Sequence, residues 1–251
     1  MTGVVYLVGS GPGDPNLLTR RGFDLIQLAD VVLYDRLVSK EIISLIPKQT
    51  KKIYVGRSVG DDYCHQEQYT NKLMLKYAQI KKHIVRLKGG DPMIFGRGGE
   101  EAEYLKNHMI KFEIVPGISS GIGVPTYSGI PLTHRKMSSS LAFVTGNETP
   151  YKRNKIDWKK LANCVDTIVI FMGLSKLESI CKQFIDGGMN KNMPIAVIQH
   201  GTMKNHKTTL GKISTISDQI KNLDVEPPVI IVIGDVVNLS KIISQCEIHG
   251  T

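Results

Sequence analysis

Short β-rich runs alternate with helical patterns along almost the whole chain, and this alternation constrains the fold more than any other feature of the sequence. The predicted strands are Val4–Val8, Val31–Tyr34, Ile53–Val55, Ile84–Leu87, Phe112–Val115, Leu141–Thr145, Thr167–Phe171, Ile195–Ile198, Thr208–Leu210 and Val229–Ile233. The predicted helices are Asn16–Ala29, Ser39–Ile46, Gln66–Lys81, Gly99–Asn107, Ser119–Tyr127, Lys176–Phe184, Ile213–Lys221 and Leu239–Gln245. Strands separated by helices predict an α/β fold with largely parallel sheets.

A Pro-Gly pair after the fifth predicted strand interrupts this pattern at Val115-Pro116-Gly117. We therefore predict two α/β domains, residues 1–115 and residues 116–251. Each domain is expected to hold a mostly parallel or mixed sheet of about five strands flanked by helices.

Composition excludes several classes of protein. The chain has 251 residues, 41% of them hydrophobic, and no apolar run approaches the ~20 residues that span a bilayer. Its first residues lack the pattern of a secretion signal, so we expect a cytoplasmic protein without a membrane partner. The four cysteines show no CxxC spacing and the seven histidines no HExxH spacing, so no metal site is predicted.

The net charge of +9 favours an acidic partner, such as nucleic acid, an anionic membrane or a polyanionic small molecule. Charge alone does not choose among them. The sequence has no RNP-like motif, zinc finger or long basic run, and only 6% aromatic residues, so no nucleic-acid partner is predicted.

The stretch Arg86–Glu101, RLKGGDPMIFGRGGEE, carries a short strand into a loop with five glycines and a proline. Glycine lets backbone approach a ligand closely, and open α/β sheets bind ligands at the carboxyl ends of their strands. Asp91 and Arg97 lie among these glycines. We therefore predict a binding loop rather than a plain connection between a strand and a helix.

Two further strand ends are candidates for the same edge of the sheet. The loop Gly9–Pro15 follows the first strand but fits GxGxxG poorly, because Asp14 replaces the third glycine and two prolines remove amide groups. Asp35 ends the second strand, where it is a candidate for acid/base work or for orienting a substrate nitrogen. Its alternative role, capping the next helix, suits Ser39 better.

The second half has its own candidates. Thr133, His134 and Arg135 follow a proline turn and bring together a hydroxyl, an imidazole and a guanidinium, which favours an anion-contacting loop over a plain surface loop. Glycines follow strands at Gly146, Gly173 and Gly201, so the second sheet is expected to present the carboxyl ends of its strands to the ligand as well.

Five motifs, in order, resemble the tetrapyrrole (corrin/porphyrin) methylase family over nearly the full chain: VYLVGSGPGDPNLLT, VVLYDRLVS, RLKGGDPMIFGRGGEE, VPGISS and GIPLTHR. The resemblance implies a two-domain α/β homodimer of the class III methyltransferase type. It also implies that S-adenosylmethionine is bound in the cleft between the domains and released as S-adenosylhomocysteine, with no metal required.

The implied reaction is the methylation of uroporphyrinogen III at C-2 and C-7 to give precorrin-2, on the way to sirohaem and cobalamin. Two alternatives stay open. One is another precorrin methyltransferase of the same family, and the other is a non-catalytic protein that binds the cofactor or a tetrapyrrole.

The resemblance also implies roles for individual residues, motif by motif. Asp35 matches the acid/base carboxylate of the family. The implied cofactor contacts are Pro12, Gly89, Gly90, Asp91, Ile94, Ser119, Ser120, Met172 and Gly201. Thr133, His134 and Arg135 match the tetrapyrrole side, and the substrate's eight carboxylates suit Arg36, Arg57, Arg97 and Arg135.

Three positions depart from the family pattern. Besides Asp35, the resemblance implies a catalytic role for the position of Arg57, where the family has a lysine with a proton-donor role. Arginine keeps its proton near neutral pH because its pKa lies far above that range, so Arg57 is expected to bind a carboxylate instead. Phe171 replaces a tyrosine and Asn147 a histidine.

Overall fold

The computed structural model describes residues 3–56, 63–148 and 153–243, and for residues 63–67 the backbone alone. The chain divides into two compact units, Met1–Ser119 and Ser120–Thr251. The division follows the Pro116-Gly117 turn, whereas the sequence analysis placed it at residue 115, directly at the end of a strand. None of the described helices is both long and apolar enough to cross a bilayer.

The first unit contains a five-stranded sheet in the order β3-β2-β4-β1-β5, in which every neighbouring pair is parallel. Its strands are β1 (Val4–Gly9), β2 (Val31–Tyr34), β3 (Lys51–Tyr54), β4 (His83–Lys88) and β5 (Lys111–Val115). Its helices are α1 (Arg20–Leu28), α2 (Lys40–Ser44), α3 (Tyr63–Ile80) and α4 (Gly98–Asn107), with a 3-10 turn at Pro15–Leu17.

The central strands of this sheet are buried on both faces because helices cover both. On one face, Val5, Leu7 and Ile84 pack with side chains of α3 and α4. On the other, Tyr6 and Val8 pack with side chains of α1 and α2. This two-sided burial accounts for the near-continuous apolar runs that predicted the strands.

The second unit contains a mixed sheet in the order β6-β7-β10-β8-β9. Its strands are β6 (Leu141–Thr145), β7 (Thr167–Phe171), β8 (Pro194–Gln199), β9 (Lys207–Lys212) and β10 (Val229–Ile233). Its helices are α5 (Ser120–Tyr127), α6 (Trp158–Leu161), α7 (Leu177–Asp186), α8 (Ile216–Lys221) and α9 (Ser240–Ile243), with 3-10 turns at Leu174–Lys176 and Asp235–Leu239. Strand β6 is parallel to β7, and β10 is antiparallel to both β7 and β8, so β6, β7 and β8 point the same way.

The predicted fold class, two α/β units with five strands each, is confirmed. One predicted helix is interrupted in the structure, and one short helix was not predicted. The predicted helix Asn16–Ala29 is broken, because the extended Thr19 accepts a hydrogen bond from Gly22 N and starts α1 anew. Helix α6 was missed, since one turn of four residues after its Asp157 cap is too short to show a helical period.

Candidate functional site

The carboxyl ends of β1, β2, β4 and β5 lie at one edge of the first sheet because these strands are all parallel. Each strand end continues into a segment with predicted site residues: the Gly-Pro loop after β1, Asp35 after β2, the glycine loop after β4 and the segment up to Ser119 after β5. This is the edge at which open α/β sheets bind ligands.

Three of these segments pack backbone against backbone through glycines. Gly11 and Gly90 exchange two hydrogen bonds, with N···O distances of 3.1 Å and 2.7 Å. A Cβ atom on Gly9 would lie 2.6 Å from the carbonyl oxygen of Gly90, and one on Gly117 would lie 2.3 Å from the same oxygen. The glycines therefore have a packing role that the sequence analysis, which assigned them to ligand approach, did not include.

Asp91 stabilises the glycine loop after β4, because both of its carboxylate oxygens accept hydrogen bonds from backbone amides. Its Oδ1 accepts a hydrogen bond from Met93 N at 2.8 Å, and its Oδ2 accepts one from Gly117 N at 3.0 Å. Beyond it, Ile94 keeps 39% of its surface exposed and Phe95 adopts a left-handed φ of 52°. Left-handed backbone outside glycine is strained, and such strain is concentrated at functional sites.

Asp35 is fixed at the end of β2 by two hydrogen bonds. Its Oδ1 accepts from Leu37 N at 3.0 Å, and its Oδ2 accepts from Nη2 of Arg86 at 3.2 Å. The cap of α2 is Ser39, as predicted, because its Oγ accepts from Ile42 N. Each carboxylate oxygen has a second lone pair, so Asp35 is oriented but still able to accept a further hydrogen bond from a ligand.

Arg86 belongs to a buried chain of alternating charges. Glu101 of α4 accepts from Arg86 Nε at 3.0 Å and from Lys88 Nζ at 2.8 Å, and all three side chains are less than 10% exposed. Arg86 also donates from Nη1 to the carbonyl of Leu87 at 3.0 Å. Together with Asp35, this set of buried side chains contains two carboxylates and two cations, so its net formal charge is zero.

The pKa values in this network follow from burial and from neighbouring charges. Burial disfavours the charged form of Glu101, but Arg86 and Lys88 outweigh it and lower its pKa. Burial likewise opposes the charge on Arg86, and Glu101 and Asp35 reverse that effect to raise its pKa. For Lys88, burial and the adjacent Arg86 prevail, and its pKa is lowered.

Arg86, Lys88 and Glu101 were not among the residues predicted from the sequence for this site. A signal was present: Arg-Leu-Lys places two cations on one face of a strand whose neighbours are apolar. Buried cations require buried partners. The sequence pattern does not reveal that Glu101 is that partner.

In the second unit, β6, β7 and β8 end at a common edge with Gly146, Met172 and Gly201. Met172 has a left-handed φ of 53° and is 50% exposed, so a residue with strained backbone and a half-exposed apolar side chain lies at the end of β7. Gly201 packs against α5, where a Cβ atom would lie 2.3 Å from Cγ1 of Val124. Phe171, one of the three residues that depart from the family pattern, is buried and packs against Gly121.

The remaining predicted residues differ in their surroundings. In the first unit, Pro12 is half-buried, Ser119 is buried, and Arg36 and Arg97 are exposed. In the second unit, Ser120 is half-buried at the start of α5. Arg57 lies outside the described residues.

The turn with Thr133, His134 and Arg135 lies elsewhere in the second unit. His134 pairs through its backbone with Ser138, whose Oγ is 2.8 Å from Oγ1 of Thr167, the first residue of β7. Within this unit the structure therefore places the turn next to the amino end of β7, away from Met172 and Gly201. Its assignment to substrate binding stays a prediction.

Among residues 3–56, 63–148 and 153–243, no group of three or more His, Cys, Asp or Glu side chains is arranged to hold a metal ion.

Comparison with known proteins gives a consistent result. The family model for tetrapyrrole (corrin/porphyrin) methylases matches residues 4–217. The uroporphyrinogen-III C-methyltransferase of Priestia megaterium is 46% identical over 238 residues, which cover 95% of this chain and 100% of that protein. The siroheme synthase of Nitrosomonas europaea is 48% identical over 240 residues, 95% of this chain. The chain spans only 50% of that protein's length.

A solved structure matches at the level of the fold as well. The uroporphyrin-III C-methyl transferase of Thermus thermophilus, in complex with S-adenyl homocysteine, superposes with a TM-score of 0.81 at 35% sequence identity. The match covers 94% of this chain and 100% of that one.

Proposed function

The chain belongs to the tetrapyrrole (corrin/porphyrin) methylase family, and from that premise we propose that it methylates uroporphyrinogen III at C-2 and C-7, with S-adenosylmethionine as the methyl donor, to give precorrin-2 for sirohaem and cobalamin synthesis. The structural observation that carries the proposal is the position of the Asp35 carboxylate. This carboxylate is held at the edge formed by the carboxyl ends of parallel strands by a buried arginine, beside a glycine loop with strained backbone.

Asp35 is the proposed acid/base residue. Methylation of a pyrrole carbon requires that a proton be lost from the ring system, and a carboxylate with spare lone pairs can orient or accept a pyrrole N–H proton. Leu37 N and Arg86 fix the carboxylate in one orientation. Orientation of reacting groups is a large part of what a protein contributes to a reaction between two bound molecules.

The residues at the two sheet edges fit the cofactor. S-adenosylmethionine supplies an electrophilic methyl group on a sulfonium centre. In the first unit, Gly89, Gly90, Asp91 and Ile94 combine backbone polar groups with an exposed apolar side chain. In the second unit, Met172 offers a half-exposed apolar side chain. An adenosine group needs this mixture of apolar surface and a few fixed polar groups.

The exposed arginines are the proposed contacts for the carboxylates of the substrate. Arg36, Arg97 and Arg135 are all exposed, and guanidinium groups bind carboxylates in a bidentate manner. Thr133, His134 and Arg57 are proposed to assist them. The net charge of +9 is expected to speed the encounter with a polyanionic substrate.

The test is anaerobic incubation of the purified protein with uroporphyrinogen III and methyl-labelled S-adenosylmethionine, followed by mass analysis of the tetrapyrrole. Two added methyl groups are expected. Cofactor binding without methyl transfer to uroporphyrinogen III would refute the proposed substrate, and later precorrins would then be tested. Transfer to none of them would favour the non-catalytic alternative.

From the family resemblance we also propose that the protein forms a homodimer. Sedimentation at micromolar concentration tests it, because a monomer mass would exclude a stable dimer.

A further inference from the structure

His206 lies in a polar cluster that connects three elements of the second unit. The loop between β8 and β9 contains Gly201, Thr202 and His206. The ring of His206 contacts Thr202 N through Nδ1 at 3.2 Å, and its Nε2 is 3.0 Å from both Oγ of Ser128 and Oγ1 of Thr208. Ser128 directly follows α5, and Thr208 lies in β9. The ring therefore holds the loop to the end of α5.

The geometry requires the neutral ring. Thr202 N–H donates to Nδ1, so that nitrogen carries no proton and the neutral ring has its proton on Nε2. Nε2–H then donates to the hydroxyl of Ser128 or Thr208. The oxygens of these two hydroxyl groups lie 2.9 Å apart, and the groups form a hydrogen bond with each other. A protonated ring would place N–H against N–H at Thr202 and lose that hydrogen bond. Consistent with this, burial lowers the pKa of His206 below its ordinary value of 6.5.

The segment that His206 holds is strained. His200 and Thr202 have left-handed φ values of 48° and 67°, on either side of Gly201. Gly201 in turn packs without space for a Cβ atom against Val124 of α5. A turn with two such residues persists only where its surroundings fix it, and the hydrogen bond from Thr202 N to His206 is one of the fixing contacts.

We propose that His206 is a positioning residue whose neutral form keeps the Gly201–Thr202 turn in the shape that receives the cofactor, so that acidification weakens cofactor binding. The inference deepens the proposed function and rests on it, since Gly201 is a proposed cofactor contact. His206 was not predicted from the sequence, because a single histidine in a loop gives no signal of its partners.

The charged groups around the ring come from two segments. His200 and Lys207 belong to the loop and to β9, and Asp224 and Glu226 lie on the segment after α8; these side chains line a cavity of about 300 Å³ with Gln199, Asn205 and His206. The groups in hydrogen-bond contact with the ring, at Ser128, Thr202 and Thr208, are uncharged. None of the ring's direct partners titrates, so we attribute the pH dependence to His206 itself, and the variant at His200 tests the other imidazole of the same cavity.

The experiment measures the affinity for S-adenosylhomocysteine by calorimetry between pH 5.5 and pH 8. For the wild-type protein we expect the affinity to fall as the pH is lowered through the pKa of His206, with a limit of about fivefold once the ring is protonated, the equivalent of one lost hydrogen bond. His206→Asn retains an acceptor near the position of Nδ1 but cannot be protonated, so it should bind normally at pH 8 and show little pH dependence. His206→Leu should bind about fivefold more weakly at every pH. His200→Asn, in the same loop and tolerant of a left-handed φ, is the control and should keep the wild-type pH dependence.

Hydrogen exchange of the Thr202 amide, corrected for intrinsic rates, is the second readout and needs no ligand. Protection should fall at pH 5.5 in the wild-type protein, be retained in His206→Asn and be lost in His206→Leu. Persistence of the pH dependence in His206→Asn, or wild-type affinity in His206→Leu, would overturn the proposal. If the wild-type protein binds no S-adenosylhomocysteine at any pH, the proposed function fails, and the cofactor part of this inference fails with it. Hydrogen exchange then decides whether His206 holds the turn.

Discussion

Arg86 donates from Nη2 to Oδ2 of Asp35 over 3.2 Å, and it does so from a side chain that is only 7% exposed, whereas that of Asp35 is 24% exposed. The arginine thus fixes the carboxylate from inside the protein and leaves it accessible from outside. This arrangement is the one that the proposed acid/base role of Asp35 requires, with the carboxylate oriented but still accessible.

We expect Asp35→Ala to impair methyl transfer by about 10²-fold or more while the affinity for S-adenosylhomocysteine changes little. The reason is that acid/base groups contribute roughly 10²- to 10⁴-fold to rate, and the proposed cofactor contacts do not include Asp35. Turnover and calorimetric affinity are measured on the same preparation. Asp24→Ala, which removes an exposed carboxylate paired with Arg20 at 2.9 Å, is the control and should retain full turnover. A parallel loss of cofactor affinity in Asp35→Ala would contradict the acid/base role.

Glu101→Gln should destabilise the protein by about 3 kcal/mol. Glu101 is the shared partner of two buried cations, and removal of one partner from a buried ion pair leaves an uncompensated charge. Urea unfolding gives the free energy of unfolding.

The matched control is the neighbouring Glu100→Gln. Glu100 is exposed and lies 3.5 Å from an exposed Arg97, so its removal should cost less than about 1 kcal/mol. Equal effects of the two substitutions would show that the buried network does not stabilise the fold.

Gly117→Ala should lower stability by about 3 kcal/mol or more. The added Cβ would lie 2.3 Å from the carbonyl oxygen of Gly90 and 2.8 Å from Cα of Gly9, and backbone atoms cannot move aside as a flexible side chain can. The midpoint of thermal unfolding reports the change. Gly99→Ala, in the first turn of α4 with no heavy atom within 4 Å of the new Cβ, should be neutral or slightly stabilising. If Gly117→Ala unfolds at the wild-type temperature, the three loops are less tightly packed than the structure indicates.

The strands could be predicted from the sequence, but the partners of the buried charges could not. Apolar runs such as Val229–Ile233 predict strands because β-branched residues pack well on a pleated surface, and Asp35 was identified because it follows such a run. The role of Glu101 was not predictable, because its contacts with Arg86 and Lys88 depend on how α4 crosses the sheet. His206 was missed for the same reason, since its partner Ser128 lies 78 residues away in sequence.

The pKa of Glu101 also predicts how stability depends on pH. Its pKa in the folded protein lies below the ordinary value of 4.5 because Arg86 and Lys88 outweigh the effect of burial. Between the folded pKa and 4.5, the unfolded chain binds more protons than the folded protein, so stability rises with pH in that window. The contribution is complete above pH 4.5 and is lost as pH falls through the folded pKa. Urea unfolding between pH 3 and pH 7 should therefore show a steeper acid loss for the wild-type protein than for Glu101→Gln. Identical slopes would mean that other carboxylates, rather than Glu101, set the acid sensitivity of the fold.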